Sequence, residues 1–354
     1  MEIPKEQSPQ ITIIGAGSIG CYLGGCLITA GCDITLIGRA RLQQQLLENG
    51  LNVTDWQGRN SHITPSHINY SLSDSELAHY ALSIADYILV TVKSGDTSAA
   101  AQSISQYAKS GAVVVSFQNG VRNSQELSEL LPNQHVVAGM VPFNVLTKGA
   151  GTFHCGTEGN LGVENANGIV STLIAAFNAA NLPVDVYNNL HDIQWSKLIM
   201  NLNNAINALS GMPLKEELSD RRYRKVLALV IKEALGVLKV ANIKTVKTGK
   251  VIPQLIPTIL LLPNSLFKIV AASMIKIDPD ARSSMYEDFA LGRPTEIDYL
   301  NGEIVALAQK HNIPSPVNEK IMQLVKRIEK SQQGSPNISS IDLLQHVNKK
   351  APIN

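Results

Sequence analysis

Residues 11–20 read ITIIGAGSIG. The apolar run 11–14 predicts a β-strand, and the three glycines that follow, Gly15, Gly17 and Gly20, have the spacing GxGxxG. Apolar residues then recur at helical spacing from Ile19 to Leu27, so the glycines lie between a strand and a helix. This context is typical of a dinucleotide-binding turn. The first glycine permits a tight turn, the second lets the backbone approach a pyrophosphate, and the third lets helix and strand pack closely.

The start of that helix is the predicted phosphate site. Backbone N–H groups at Ser18, Ile19 and Gly20 would lie at the positive end of the helix dipole. The alternative is a glycine-rich turn that binds no ligand. After the second predicted strand, 33–37, the chain carries Arg39 where an acidic residue would favour NAD, and an arginine suits the 2′-phosphate of NADP. The alternative for Arg39 is a solvated surface residue.

The rest of the amino-terminal half continues the alternation of strands and helices. Further strands are predicted at 87–92, 112–117 and 136–140, with helix-compatible segments between several of them. The pattern predicts an α/β fold with a parallel, doubly wound sheet of the Rossmann type. Residues 149–163 combine glycines with short alternating runs, which predicts an antiparallel hairpin at the edge of that sheet.

Helical periodicity replaces the strand signals beyond Asn188. Two apolar stripes carry it: Leu227, Val230, Ile231, Ala234 and Leu238, and then Ile297, Leu300, Ile304 and Leu307. We expect an NADP-binding domain at 1–187, an all-helical substrate domain at 188–332, and a polar, partly ordered tail at 333–354. The apolar stretch 251–277 is interrupted by prolines and lysines, and its longest uncharged run is shorter than the roughly 20 residues that span a membrane. We expect a buried helical insertion there.

Composition excludes several classes of protein. The chain has 30 basic and 29 acidic residues, so no basic excess exists to bind nucleic acid. The first ten residues lack the apolar core of a secretory signal, which favours the cytoplasm. The cysteines, Cys21, Cys26, Cys32 and Cys155, contain no CxxC pair and are expected to be core thiols. No histidine lies in a cluster that predicts a metal site.

A first candidate catalytic cluster, at 195–207, reads WSKLIMNLNNAIN. On a helix that advances about 100° per residue, Lys197, Asn201 and Asn204 share one face. Asparagine is a poor helix former, so its concentration here needs another reason. An ammonium beside amides can protonate a carbonyl oxygen as hydride reaches the carbon, which makes Lys197 a candidate general acid. The alternative is a polar helix face exposed to solvent.

A second polar cluster extends from Arg282 to Gly302. Thr295 can act as a helix N-cap, in which case Glu296 is an acidic first-turn residue favoured by the helix dipole alone. The functional interpretation has Glu296 accepting a hydrogen bond from a substrate hydroxyl, and the hydroxyl of Ser284 donating to a substrate carboxylate.

These motifs, in order along residues 10–330, resemble those of the ketopantoate reductases, also called 2-dehydropantoate 2-reductases. They are GAGSIG at 15–20, VTVK at 90–93, QNG at 118–120, WSKL at 195–198 with Asn201, and SSM at 283–285 followed by TEIDYLNG at 295–302. The last segment is the most specific of them.

The resemblance implies a Rossmann domain followed by a helical domain like that of 6-phosphogluconate dehydrogenase. It implies that Lys197 is the general acid and that Glu296 and Asn201 hold the substrate. By the same resemblance Ser284 meets the substrate carboxylate, and Lys93 and Asn119 lie where cofactor and substrate meet. The family reduces 2-dehydropantoate to pantoate with NADPH, on the way to pantothenate and coenzyme A. A small 2-oxo acid is then the partner, and a homodimer is one candidate for the oligomeric state.

The chain departs from the family pattern at one position close to the lysine. Many members carry a second asparagine eight residues after it, where this chain has Ala205, and Asn204 could supply that amide from a slightly rotated position. Two alternatives therefore stay open. One is a related NADP-dependent 2-oxo-acid or hydroxy-acid dehydrogenase with a different substrate, and the other is a non-catalytic NADP(H)-binding redox sensor.

Overall fold

The computed structural model describes residues 9–247, 251–271 and 281–349. The chain divides into two compact units between His191 and Asp192. The strands of the first unit are β1 (Gln10–Ile14), β2 (Asp33–Gly38), β3 (Leu51–Asp55), β4 (Asn60–Ile63), β5 (Asn69–Leu72), β6 (Tyr87–Val90), β7 (Val113–Ser116), β8 (His135–Met140), β9 (Val145–Gly149), β10 (Thr152–Cys155), β11 (Leu161–Glu164) and β12 (Val184–Tyr187). Within the described residues, the larger sheet has the strand order β12-β11-β8-β7-β6-β1-β2-β5.

The order of these strands confirms the predicted doubly wound α/β sheet. Strand β1 pairs in parallel with β2 on one side and with β6 on the other. The strands that follow β1 in the chain therefore extend the sheet on one side of β1, and those from β6 onward extend it on the other side. In such sheets ligands bind beyond the carboxyl ends of the strands at this switch point, which lies here after β1 and β6.

Helices cover both faces of the sheet. Alternate side chains of the central strand point toward opposite faces, so both faces carry apolar residues that helices can bury. The helices are α1 (Ser18–Thr29), α2 (Ala40–Asn49), α3 (Glu76–Ile84), α4 (Thr97–Tyr107), α5 (Asn123–Leu130) and α6 (Ser171–Ala179). Ile11 and Ile13 of β1 belong to one buried cluster, and Ile14 belongs to the other. All four cysteines are buried free thiols, as the prediction of core thiols required.

An antiparallel hairpin forms at 145–155 and not over the predicted 149–163, and it does not lie at the edge of the larger sheet. Strands β9 and β10 pair antiparallel in a smaller sheet with the order β4-β3-β10-β9. Strand β10 pairs in parallel with β3, a segment to which the sequence analysis assigned no strand. The segment that joins the larger sheet is β11, which runs antiparallel to β8.

The second unit is helical in its described part, as predicted. Its helices are α7 (Leu190–Asn201), α8 (Asn203–Ser210), α9 (Leu214–Glu217), α10 (Arg221–Val240), α11 (Ile256–Leu260), α12 (Asn264–Ala271), α13 (Ser284–Ala290), α14 (Asn301–Lys310), α15 (Pro316–Ser331) and α16 (Ser340–Asn348). Every residue of the first predicted apolar stripe is buried on α10. The second stripe is divided, because Leu300 leaves helical geometry (φ −118°, ψ −92°) and α14 starts after it.

The apolar stretch 251–277 is helical over its described part but less buried than predicted. Ile269 is 73% exposed, although Leu260 and Phe267 are buried. A fully buried arginine attaches the segment to α10: Arg224 donates to the carbonyl oxygens of Leu260 and Leu262 at 3.1 and 3.0 Å and lies over the ring of Phe267. Residues 272–277 lie outside the described residues. In the described chain no helix has the length and apolar character needed to cross a membrane.

Residues 333–349, which fall in the predicted polar tail, are folded against the helical unit. This segment ends in α16, whose Leu343 and Val347 are buried. Ile338 donates to the carbonyl oxygen of Leu209 at 2.9 Å and accepts a hydrogen bond from the hydroxyl of Tyr223 at 2.7 Å. The segment is therefore part of the helical unit, and residues 350–354 lie outside the described residues.

Candidate active site

The glycine-rich turn joins β1 to α1 at the switch point of the sheet. Gly15 has φ +100°, and a Cβ there would lie 2.5 Å from the backbone nitrogen of Val92. A Cβ at Gly20 would lie 2.5 Å from the carbonyl oxygen of Gly15. The N–H groups of Gly15 and Ala16 both donate to the carbonyl of Ile37, which closes the turn. Packing within the protein therefore explains the first and third glycines of the motif.

Gly17 differs, because no described part of the protein requires a glycine there. Its φ of −96° suits any residue, and the nearest heavy atom to a Cβ would be the oxygen of Gly15 at 3.9 Å. Gly17 is exposed and is the N-cap of α1, where no side chain caps the helix. The hydroxyl of Ser18 lies 2.9 Å from that of Thr147. Open space above uncapped helix N–H groups is what a bound phosphate needs.

Arg39 lies at the end of β2 with its side chain 79% exposed. Its Nη2 is 3.5 Å from Oδ2 of Asp96, in the turn that follows β6. Such an exposed ion pair contributes about 0–1 kcal/mol, so a phosphate could displace the carboxylate. The hydroxyl of Tyr70 donates to the carbonyl of Arg39 at 3.0 Å and holds the backbone at the strand end.

Lys93 and Asn119 lie in the loops after the parallel strands β6 and β7, at the same edge of the sheet as the glycine turn. Both are half-buried. The hydroxyl of Ser94 donates to the carbonyl of Asn119 at 3.0 Å, which ties the two loops together.

Buried polar side chains under these loops were missed by the sequence analysis. Gln118 donates to the hydroxyl of Thr97 at 2.7 Å, and Asn123 donates to the hydroxyl of Ser94 at 3.0 Å. Thr97 in turn donates to the side-chain oxygen of Asn123 at 3.1 Å. The QNG motif had drawn attention to Asn119, whereas its neighbour Gln118 supports the loop from within.

Lys197 and Asn201 lie four residues apart on α7, so they share the predicted face. The prediction of one continuous helix was wrong at the next residue, because α7 ends at Asn201 and Asn204 lies on α8. Leu202, between the two helices, keeps right-handed helical angles, and its N–H donates to the carbonyl oxygen of Leu198 at 3.1 Å. Lys197, Asn201 and Asn204 are all half-buried, which differs from the solvent-exposed face considered as the alternative.

The electrostatic surroundings of Lys197 suit a general acid. Burial lowers the pKa of Lys197 from its usual 10.5 to about 8, while the charge of Glu296 acts in the opposite direction. The ammonium is therefore mainly protonated at neutral pH but releases its proton more readily than an exposed lysine. Two residues that were predicted from separate motifs thus interact.

Glu296 does not owe its place to a helix dipole. It precedes a short 3-10 turn, Ile297–Tyr299, and α14 begins only at Asn301. The hydroxyl of Thr295 accepts a hydrogen bond from the N–H of Ile297 at 3.2 Å, so Thr295 contacts the start of this turn and does not cap α14. The alternative interpretation, in which Glu296 lies in the first turn of a helix capped by Thr295, is wrong.

Ser284 is the exposed first residue of α13. The preceding residue, Ser283, is buried, and its hydroxyl accepts a hydrogen bond from the N–H of Tyr286 at 3.2 Å. The same hydroxyl donates to the carbonyl of Asn204 at 3.0 Å. This bond joins the start of α13 to α8, so the segments that carry Ser284 and Asn204 lie side by side.

Comparison with known proteins places these features in a family. Residues 11–168 match the model for ketopantoate reductase PanE/ApbA, and residues 189–329 match the model for its C-terminal part. The chain belongs to the ketopantoate reductase family. Ketopantoate reductases are oxidoreductases that act on a CH–OH or C=O group, and this chain is an enzyme of that kind.

Individual ketopantoate reductases match over nearly their whole length. The 2-dehydropantoate 2-reductase of Pyrococcus horikoshii is 28% identical over 333 residues, which cover 92% of this chain and 99% of that protein. The crystal structure of a PanE/ApbA family ketopantoate reductase from Ralstonia eutropha is similar with a TM-score of 0.76 and 30% identity, covering 91% of this chain and 99% of the other. A D-mandelate dehydrogenase in complex with NADH and anilino(oxo)acetate shares the fold, with a TM-score of 0.73, 22% identity, and coverage of 91% and 99%.

The chain also holds a buried acid that was not singled out from the sequence. Glu217 is fully buried on α9, and Asn207 donates to its Oε2 at 2.6 Å. Burial raises the pKa of Glu217 to about 8, although hydrogen bonds from Asn207 and Asn203 lower it. The signal was the concentration of asparagines on the lysine segment. Two of them interact with Glu217, and the other two are the candidate substrate amides.

Proposed function

We propose that this enzyme reduces 2-dehydropantoate to pantoate with NADPH in the cytoplasm, as a step toward pantothenate and coenzyme A. One observation carries the proposal: the ammonium of Lys197, whose pKa burial lowers to about 8, interacts with the carboxylate of Glu296. Both residues lie in the motifs that resemble the family most closely. A positioned acid whose pKa is close to the working pH is suited to give a proton to a carbonyl oxygen.

In the proposed reaction Lys197 donates a proton from Nζ to the ketone oxygen, which becomes the new hydroxyl of pantoate. Glu296 keeps the amine charged at neutral pH and accepts a hydrogen bond from the substrate hydroxyl. The amides of Asn201 and Asn204 orient the substrate, and the hydroxyl of Ser284 donates to its carboxylate. Helices carry Lys197, Asn201, Asn204 and Ser284, and Glu296 directly precedes a 3-10 turn, so these groups are positioned before the substrate binds.

The residues of the amino-terminal unit fit a dinucleotide. Gly17 leaves open space at the start of α1, where the backbone N–H groups of Ser18, Ile19 and Gly20 would bind a pyrophosphate. The exposed guanidinium of Arg39 would pair with the 2′-phosphate of NADP. Further residues of the proposed site are Gly15, Lys93 and Asn119. When bound, a reduced nicotinamide supplies the hydride that the reaction needs.

A panel of 2-oxo acids, followed by the loss of NADPH absorbance, tests the proposal. We expect the highest kcat/KM with 2-dehydropantoate and NADPH. In the same assay Arg39→Ala should raise the KM for NADPH about tenfold and leave the KM for NADH almost unchanged. Failure to oxidise NADPH with any 2-oxo acid would refute the proposed activity, and equal effects on both cofactors would refute the role of Arg39.

A second candidate is the reduction of a different 2-oxo acid by the same residues. Ala205, which stands where many family members carry asparagine, is fully buried on α8 and favours this candidate. The D-mandelate dehydrogenase that shares the fold was solved with anilino(oxo)acetate. The panel decides between the two by the substrate with the highest kcat/KM. A homodimer is the candidate assembly, and light scattering tests it.

A further inference from the structure

A buried amide connects three segments of the helical unit. Asn207 lies on α8, and its Nδ2 donates to the carbonyl of Met212 at 2.9 Å and to Oε2 of Glu217 at 2.6 Å. Its Oδ1 accepts a hydrogen bond from the N–H of Ser283 at 2.8 Å. Asn207, Glu217 and Ser283 are all buried. The side chain of Asn207 therefore links α9 and the loop before it to the start of α13.

Ser283 transmits this linkage to two candidate substrate residues. Its hydroxyl donates to the carbonyl of Asn204 at 3.0 Å, and its peptide bond leads directly into Ser284. The position of Ser283 therefore sets the distance between Asn204 and Ser284. Asn207 holds the N–H of Ser283 from outside α13.

We infer that Asn207 and Glu217 are positioning residues, which act through Ser283 to hold Ser284 and Asn204 at the spacing that a 2-oxo acid requires. The inference rests on the proposed function, because it takes Ser284 and Asn204 as contacts of the substrate. Its physical basis is that a buried hydrogen-bond chain resists distortion, since breaking one bond leaves polar groups unpaired.

The protonated form of Glu217 explains how a carboxyl group can take part in this buried hydrogen-bond network. With a pKa raised to about 8 by burial, the group is mainly neutral at pH 7. Within the described residues, Oε1 of Glu217 and Oδ1 of Asn203 are buried and have no hydrogen-bond partner. Glu217 and Asn203 interact, so a proton on the carboxyl group of Glu217 would add a donor beside these acceptor oxygens. Glutamine, which is neutral and has both a donor and an acceptor, should reproduce this arrangement.

Steady-state kinetics of four variants test the inference. Asn207→Ala removes the acceptor for the N–H of Ser283 and should raise the KM for the 2-oxo acid between about 10- and 100-fold, as small misplacements of binding groups do. Glu217→Leu, which leaves Asn207 short of one partner, should raise it less. Glu217→Gln should keep the wild-type KM. In all three variants the KM for NADPH should be unchanged, a separation that a general loss of folded protein would not produce.

Glu233→Leu is the matched control. Glu233 is also a carboxylate of the helical unit that holds an asparagine, since it accepts hydrogen bonds from the side chain of Asn318 and from the N–H of Val317. This variant should lose thermal stability and keep the wild-type KM for the 2-oxo acid.

The outcomes separate the two proposals. If Asn207→Ala fails to fold, Glu217→Leu and Glu217→Gln still give the comparison. Suppose that the wild type reduces a 2-oxo acid. An unchanged KM for that acid in Glu217→Leu, or a rise of the same size in Glu233→Leu, then overturns the positioning role alone. A wild type that neither binds any 2-oxo acid in calorimetry nor reduces it overturns the proposed function, and the positioning role with it.

Discussion

Lys197 and Glu217 lie in the same helical unit, and burial moves their pKa values toward each other from opposite ends of the scale. It lowers the pKa of Lys197 to about 8 and raises the pKa of Glu217 to about 8. Their partners differ. Lys197 interacts with the carboxylate of Glu296, whereas Glu217 accepts hydrogen bonds from neutral amides. At neutral pH the lysine site therefore holds a charge and the glutamate site does not.

The difference shows how one physical cause can prepare two different roles. A buried ammonium group that is still charged releases its proton more readily than an exposed one, which suits it to donate that proton in a reaction. A carboxyl that has lost its charge behaves as a hydrogen-bonding group and can be kept inside a protein at little cost. Substitutions that remove the charge at the lysine site, or fix the neutral state at the glutamate site, test the comparison.

Lys197→Ala should have the largest effect. Removing the proton donor should lower kcat by about 10² to 10⁴, with little change in the KM for NADPH, because proton transfer by a positioned group is worth that factor. Steady-state turnover with 2-dehydropantoate measures it. Lys239→Ala, at an exposed position of α10, is the control and should be fully active. Near-normal turnover of Lys197→Ala would remove the general acid from the mechanism.

Glu296→Gln should remove the charge that keeps Lys197 protonated. We expect kcat/KM at pH 7 to fall about 10- to 100-fold, the usual cost of losing a hydrogen bond to a charged group. The upper pH limit of activity should also move below that of the wild type, since Glu296 raises the pKa of Lys197. Asp298→Asn neutralises an exposed neighbour that pairs with Lys326, and it should leave the pH limit in place. A limit that stays fixed in Glu296→Gln would contradict the pairing.

The wild-type pH profile should show the lowered pKa of Lys197 directly. The ammonium is the acid in ketone reduction, so activity requires the form that exists below the pKa. We expect kcat/KM to be constant below about pH 8 and to fall about tenfold per pH unit above it. Rates measured from about pH 6 to 10 give this curve. A plateau that continued toward the usual lysine pKa of 10.5 would contradict the effect of burial.

Glu217→Gln should have the smallest effect and should change stability rather than rate. The unfolded chain loses this proton near the usual pKa of 4.5, whereas the folded chain keeps it to about 8. The folded wild type therefore becomes less stable, relative to the unfolded chain, as pH rises through that interval. Glutamine has no proton to lose, so the variant keeps its stability over this interval. The Tm of the variant minus the Tm of the wild type should therefore increase between about pH 5 and 8 by at least about 2–4 °C. Calorimetry with Glu233→Gln as control measures it, and a constant difference would mean that Glu217 is charged.

Much of the fold could be read from the sequence because its signals are local. The GxGxxG spacing, the strand before it and the helix after it are contiguous, and they define the switch point of the sheet. The apolar stripe on α10 has a helical period that survives any change of partner. Lys197 and Glu296 were both proposed from local motifs, and they interact in the structure.

What the sequence could not give depends on contacts between distant segments. Strand β3 is held by its pairing with β4 and with β10, which follows it by about a hundred residues. Residues 214–218 read LKEEL, and nothing local distinguishes the exposed Glu216 from the buried Glu217. The hydrogen bond between Asn207 and the N–H of Ser283 joins residues that are far apart in the chain, so no spacing rule reveals it.

The docking of α16 has a consequence for the order in which the two units can form. On a ribosome the sheet is complete once β12, at 184–187, has emerged. Helix α10 is made soon afterwards, but it packs against α16, at 340–348, which emerges much later. The part of α10 that packs against α16 stays uncovered during that interval. The nascent chain should thus carry a finished nucleotide-binding half beside an unfinished one, and the second half is where chaperones would be needed.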